Sequence, residues 1–337
     1  MKKIISLVCT LAISLTLFGC GRSNTLATDS SKYAWVLCTS SPTDTVTGIF
    51  AQKFADEVYR LSNGEMNIAI YDNSTLGGDR ELLESCNSGD VKFIVQNTAP
   101  QVSFMPKLAV FDLPMAYDNI EDVRKALDDE EFMNILNEVY SEAGYRLLGM
   151  ADQSFRTMTT NKKIESISDF KGQKIRTMEN SYHLAFWQAI GANPAPMAFS
   201  EVYIGLQQGT IDAQENPVEV IVSSKFYEQQ KYVVETNHLP HLLSLITNDE
   251  FYNALTSEQQ AIIDQAAENA KQYAREQSDE RISSRNEIIL ENGCEFIELD
   301  EQTKQEIRQS CLDLYEDIHE SVGDDIYNAY LKYINWQ

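Results

Sequence analysis

The first regular signal in the chain is "YAWVLCTS" (Tyr33–Ser40), an apolar run whose length and aromatic content predict a buried strand. Ile49, Phe50, Phe54, Val58 and Leu61 then recur at helical spacing and predict an amphipathic helix over about Thr47–Leu61. "GEMNIAIYDN" reads as a strand ending in turn residues. "LGGDRELLESCNSGD" reads as a glycine turn, a short helix and a glycine stop, and "VKFIVQN" as a further strand. This β-α-β-α-β rhythm predicts an α/β domain around a central sheet.

A comparable rhythm restarts after about residue 154. "FKGQKIRTM" predicts a turn and a strand, "SYHLAFWQAIG" a helix with a glycine stop, and "ANPAPMAF" an extended link. The helix "SEVYIGLQQ", Gly209 and the extended "TIDAQEN" follow, and this order matches that of residues 78–97. Two related halves are therefore expected, with matching strand ends turned toward a shared cleft. The last third differs. Thr256 and Gln259 form a capping-box signature, and the helical pattern runs unbroken to about Asn292 before Gly293. At 1.5 Å per residue that helix is about 55 Å long, enough to run along two domains. A short strand, "CEFIEL", and a helix from about Glu301 close the chain.

The N-terminus changes the picture by fixing a compartment. "MKK" followed by "IISLVCTLAISLTLF" has the pattern of a secretory leader over residues 1–19, too short to span a bilayer comfortably. Leu17-Phe18-Gly19-Cys20 resembles a bacterial lipoprotein processing site, so Cys20 is the expected lipidation position and residues 20–32 a polar tether. The formal charge is −24, and loss of Lys2 and Lys3 makes it −26. Such a field argues against nucleic acid or anionic lipid as a partner, and requires any anionic ligand to meet a local Arg or Lys. Of six cysteines, Cys38, Cys86, Cys294 and Cys311 remain after the leader and Cys20 are set aside. No CxxC spacing occurs, and a Cys294–Cys311 bridge or buried free thiols are both open.

No catalytic motif stands out. His238 and His241 have metal-like spacing without a supporting Cys, Asp or Glu, so neither metal nor cofactor is expected. Asp128-Asp129 and Asp324-Asp325 lie in solvated charge runs. Binding is better served, because ligands of α/β folds collect outside the carboxyl ends of strands. Arg176, Arg156, Asn216 and Asn97 fall at such ends. The planar fork of an arginine suits a carboxylate, although each arginine can equally tie down its own domain. Phe199, just before a helix start, either stacks on a ligand or packs in the core.

"GQKIRTMEN…GANPAPMAFSEVYIGLQQGTIDAQENP…KFYEQQKYVVETNH", together with "LGGDRELLESCNSGDVKFIV", "FDLPMAYDN" and "SFRTMTTNKKIESISDFKG", closely resembles one family throughout. It is that of the substrate-binding subunits (dicarboxylate-binding, DctP-like type) of tripartite ATP-independent periplasmic (TRAP) transporters. The resemblance implies a two-lobed periplasmic-binding-protein clamshell of α/β class, with mixed central sheets and a long helix spanning both lobes. It places lobe I at 33–153 plus about 242–281 and lobe II at 154–241 plus about 282–337. It also implies that Arg176 makes the main salt bridge to a ligand carboxylate, that Arg156 assists, and that Asn216 contacts the ligand. Phe199 would pack on the ligand, with Asp79 and Asn97 contributed by the first lobe. The sialic-acid-binding branch carries Asn near Ser40 and Glu at Asn97, and the departures here speak against that ligand.

The resulting expectation is a monomeric extracytoplasmic binding protein, lipid-anchored to the cell membrane, that delivers a small organic acid to a permease. A sugar acid is favoured, with a C4-dicarboxylate as the alternative. A ligand-sensing lipoprotein, or an enzyme using Asp79 or Glu215, are readings from other classes. His183 and Trp187 fall on the cleft side of a helix, as ligand contacts or as core.

Overall fold

The computed structural model describes residues 31–334; the leader, Cys20 and most of the tether lie outside the described residues. Eleven strands form two mixed sheets: β1 (Tyr33–Cys38), β2 (Met66–Tyr71), β3 (Phe93–Asn97), β4 (Tyr145–Phe155), β5 (Thr157–Thr160), β6 (Lys174–Thr177), β7 (Asn193–Pro196), β8 (Ala213–Asn216), β9 (Tyr232–Glu235), β10 (Pro240–Asn248) and β11 (Glu295–Glu298). The first sheet has the order β2-β1-β3-β10-β4 and the second β11-β9-β5-β8-β6-β7. In each, three parallel strands (β2-β1-β3 and β7-β6-β8) are followed by a strand pairing antiparallel to the third. The two halves therefore match in topology, and the helix–glycine–strand stretches that end in β3 and β8 occupy equivalent places.

Two short segments carry the chain directly from a strand of one sheet to a strand of the other, and the stretch from β10 to β11 crosses a third time through the long helix. Only Arg156 separates β4 from β5, and residues 236–239 separate β9 from β10. The Arg156 amide donates to Leu239 O at 2.8 Å, which ties the two crossovers together. Ser154, near the end of β4, and Asn237, in the second crossover, adopt left-handed backbone with φ of 62° and 41°. Such conformations are uncommon for residues with a side chain, and both occur where the chain changes sheet.

The long helix is Ser257–Glu291, with Thr256 and Gln259 making the capping box in both directions. Ala266, Ala267, Ala270 and Ala274 are buried in a core shared with the helix Val46–Leu61 and the first sheet. Small side chains here let the two helices approach closely. Toward its end Ile289 joins a separate core with Val220, Ile221 and Phe226 beside the second sheet. The helix thus packs on both halves.

Two details differ from the sequence reading, and the cysteines resolve to one of the two states it left open. "SEVYIGLQQ" begins as a 3-10 turn, Phe199–Glu201, and becomes α-helical only at Val202–Gln208, ending on Gly209 at φ 66°. The region after Glu301 holds three helices, Glu301–Ser310, Leu312–Val322 and Asp324–Tyr330. The last of them packs Tyr330 on Phe111, Tyr117 and Phe132, so the C-terminal segment returns to elements that lie between β3 and β4. Cys38, Cys86, Cys294 and Cys311 are all free and buried, and Cys294 Sγ donates to Gln230 O at 3.1 Å.

The helix Val46–Leu61 starts from Thr45, whose side chain accepts from the Gly48 amide. A Cβ on Gly48 would lie 2.5 Å from Thr43 O and 2.8 Å from Pro42 O. Both are backbone atoms that cannot swing away. Gly48→Ala is expected to lower stability by about 1–3 kcal/mol, as overpacking does. Urea unfolding with an unchanged slope and a lower midpoint checks it.

Candidate functional site

A cleft of about 70 Å³ opens between the two sheets at the carboxyl ends of their parallel strands. From the first side Ser40, just past β1, meets Ser74, Asp79 and Arg80. From the second, Arg176 in β6, Glu179 just beyond it, and Met197, Phe199 and Ser200 beyond β7 complete the wall. This is where the topology of open α/β sheets concentrates ligands, and both sheets contribute.

Arg176 dominates this wall chemically. It is 2 % exposed, and its Nε and Nη2 donate to the single carbonyl of Met197 at 2.9 and 2.8 Å. Its buried Nη1 has no hydrogen-bond partner, and it has no ion pair among the described residues. Burial lowers its pKa from the ordinary arginine value to about 10, with the Glu215 charge opposing that shift. The Phe199 ring centroid lies 6.0 Å from the guanidinium carbon. Asp79, first residue of the helix Asp79–Asn87, accepts from Ser40 Oγ at 2.6 Å and from Gln96 Nε2 at 3.0 Å.

Beneath the cleft lies a second, closed polar system. Arg156 is 1 % exposed and grips Glu215 through Nε to Oε2, Nη2 to Oε1 at 2.8 Å and Nη2 to the Glu215 carbonyl at 2.6 Å. Its Nη1 meets His241 Nδ1, and Nη2 also reaches Asn216 Oδ1 at 3.3 Å. His238 sits 3.2 Å from the same carboxylate, with its other ring nitrogen 2.8 Å from Thr236 Oγ1. Burial alone would raise Glu215, but the Arg156 charge and the hydrogen bonds from His238 and Arg156 hold it well below the usual carboxylate range. Burial pushes both His238 and His241 below the ordinary histidine value, and the Arg156 charge adds to it.

The profile of bacterial extracellular solute-binding protein family 7, DctP, matches residues 37–321. The chain belongs to this family. Family 7 proteins are the substrate-binding subunits of TRAP transporters. A solute-binding protein of Verminephrobacter eiseniae is 34 % identical over 226 residues, 66 % of this chain and 67 % of that one. The sugar-acid-binding protein DctPAm of Advenella mimigardefordensis, solved with galactonate, superposes with a TM-score of 0.85 at 29 % identity, covering 89 % of this chain and 97 % of that one. A TRAP solute-binding protein of Sulfurospirillum deleyianum with bound succinate gives 0.85 at 27 % identity over 90 % and 100 %. No helix among the described residues is long and apolar enough to cross a membrane.

In this family 7 protein, Arg176, Phe199 and Asp79 are brought together on the cleft wall. Arg156 and Asn216 lie behind it, in the closed system, with Asn216 Nδ2 donating to Gln214 Oε1 at 2.7 Å. Asn97 is turned to its own backbone surroundings: Nδ2 donates to Leu242 O at 3.0 Å and Oδ1 accepts from the Ala99 amide at 2.9 Å. His183 is buried against Asp112 at 3.0 Å, and Trp187 is wholly buried beside Phe170, Phe186 and His238. Sequence reasoning missed Ser74, Arg80, Glu179 and Ser200 as lining residues. Glu179 carried a usable signal, standing three residues after Arg176 and immediately beyond the strand end.

The closed system has a pH signature. A histidine held neutral by burial contributes stability that is complete above 6.5 and lost as pH falls below it, because protons bind the unfolded chain better. Net charge relief on acidification acts on the whole protein, so the comparison must be between variants. The midpoint of His238→Gln relative to wild type is expected to rise as pH falls from about 7 to about 5. A difference independent of pH in thermal scans would contradict this.

Proposed function

We propose that the chain captures a small monocarboxylic acid rich in hydroxyl groups outside the cytoplasm, with Arg176 as its carboxylate anchor. The reading rests on one observation: a guanidinium out of water, lining a cleft, with one buried donor unpartnered and no carboxylate paired to it. A ligand carboxylate supplies the two parallel charge-assisted bonds that this fork lacks. Asp79, Glu179 and the hydroxyls of Ser40, Ser74 and Ser200 then face the rest of the ligand. Carboxylate oxygens accept from ligand hydroxyls but repel a second ligand carboxylate. Arg156, the other arginine assigned to the ligand from sequence, already has Glu215 as its counter-ion. Sugar acids of the aldonate or uronate type are favoured on these grounds, and galactonate in the Advenella protein accords with that.

A C4-dicarboxylate is the second reading. Arg80 lines the same cleft, pairs with the exposed Glu84 at 3.2 Å, and offers a second cation; succinate in the Sulfurospirillum protein fits this alternative. Under either ligand, 33–153 with about 242–281 and 154–241 with about 282–337 act as two lobes closing on the acid, which a monomer anchored through lipidated Cys20 presents to a permease. Contacts that exist only in the closed form bias the protein toward it. A sensing role would share this geometry and differ only in its membrane partner.

The test is Arg176→Met in a thermal-shift screen across aldonates, uronates and C4-dicarboxylates. Loss of the anchor is expected to weaken every acid that shifts the wild type by about 2–5 kcal/mol, roughly 30- to several-thousand-fold in Kd. The unliganded variant should melt at or above the wild-type temperature, because a buried charge without a counter-ion is removed. Unchanged affinity in Arg176→Met would overturn the assignment.

A further inference from the structure

Away from the cleft, two arginines and two carboxylates form a ring that joins three separate pieces of the fold. Arg281 donates from Nε to Glu219 at 2.7 Å and from Nη2 to Asp44 at 2.6 Å. Arg285 repeats the pattern, with 2.8 Å to Glu219 and 2.8 Å to Asp44. Both arginines belong to the long helix, Glu219 to the helix Val218–Ser223 after β8, and Asp44 to the loop after β1. Ser223 Oγ adds a hydrogen bond to the Asp44 carbonyl. Asp44 is thus the one member contributed from beside the first sheet.

Three observations give the ring a role beyond surface charge. First, Asp44 is not on a free loop: the Asn73 amide donates to Ser41 O at 2.9 Å, Thr43 Oγ1 donates to Asp72, and Thr45 Oγ1 donates to Pro42 O at 2.7 Å. The loop therefore moves with the first sheet. Second, its other end is Ser40, which lines the ligand cleft and donates to Asp79. Third, beside the ring the two halves meet across a cavity of about 160 Å³, not through close packing. Gln153 Nε2 and Thr157 Oγ1, both almost wholly buried, and Asn286 Oδ1 line that cavity without protein partners. Apolar packing does little to hold the halves together at this place, so the ion pairs carry the contact.

We propose that Asp44, through Arg281, Arg285 and Glu219, is a latch that sets ligand affinity by stabilising the closed arrangement without touching the ligand. This rests on the binding role proposed above. Glu219 and Arg285 both belong to the second lobe and Arg281 stands at the boundary between the lobes, so the Asp44–Arg285 pair is one that opening breaks. A side chain that acts on closure alone scales the affinity of every ligand by one factor and leaves selectivity unchanged.

The experiment uses Asp44→Asn and Asp44→Glu in the full mature chain, with the acids that shift the wild type in the thermal screen. Asp44→Asn is expected to weaken all of them by the same factor, about three- to tenfold, given the partial exposure of the ring. Asp44→Glu should restore most of that loss. Raising salt should weaken wild-type binding more than it weakens binding to Asp44→Asn. Small-angle scattering of the unliganded proteins should give Asp44→Asn the larger radius of gyration, and this arm stands even where no tested acid binds. Wild-type affinity in Asp44→Asn, a loss confined to one ligand, or equal radii would each overturn the latch. Absence of binding by every protein would instead count against the ligand class, with the radii still deciding the latch.

Discussion

Arg156 stands at the only residue between β4 and β5 with its guanidinium fully out of water, where a charge is costly unless its counter-ion is equally well placed. Glu215 meets it with both carboxylate oxygens and its carbonyl, and His238, His241 and Asn216 occupy the remaining directions. A half-satisfied buried network is worse than an apolar core, so each of these side chains holds the others in place. Because Glu215 lies in β8 and His241 in β10, the pair also fixes the second sheet against the first exactly where the chain changes sheet.

That pairing decides what the cleft can do. With the Arg156 charge cancelled by Glu215, Arg176 is the one fully buried cation facing the cleft. Its neighbours on the wall are hydroxyls and carboxylates, so the local field is positive at one point and negative around it. The chain as a whole is strongly acidic, at −24, yet exposed charges act only weakly beyond a Debye length of about 8 Å in physiological salt. A recessed arginine therefore attracts an anion in a protein whose surface repels it.

Periodicity and turn residues made the elements of 33–97, of 174–216 and the long helix legible, while β4, β5, β9, β10 and the helices between β3 and β4 went unread. The long helix was bounded to within a residue because a capping box and a glycine stop are local signals, and the two related halves followed from the order of helices, glycines and strands. What could not be read is which polar side chains are already engaged. Arg156 and Arg176 look alike in sequence, each an arginine at a strand end. The difference is a carboxylate 59 positions away from Arg156, which no local pattern reveals. Asn97 is similar: its amide is held by Leu242, 145 positions on. The final helices escaped for the same reason, since Tyr330 finds Phe111 and Phe132 across two hundred residues.

The matched topology explains why the buried network and the crossovers fall at the same place. Each half is a parallel triplet completed by an antiparallel strand, and that strand arrives directly from the other half: β10 follows β9, and β5 follows β4. Two short crossovers, bonded to each other through the Arg156 amide and Leu239, are then the places where a strand of one sheet leads directly into a strand of the other. The left-handed residues Ser154 and Asn237 both line the cavity between the two halves. The Arg156 network sits at these crossovers and holds β5, β8 and β10 through Arg156, Glu215 and His241.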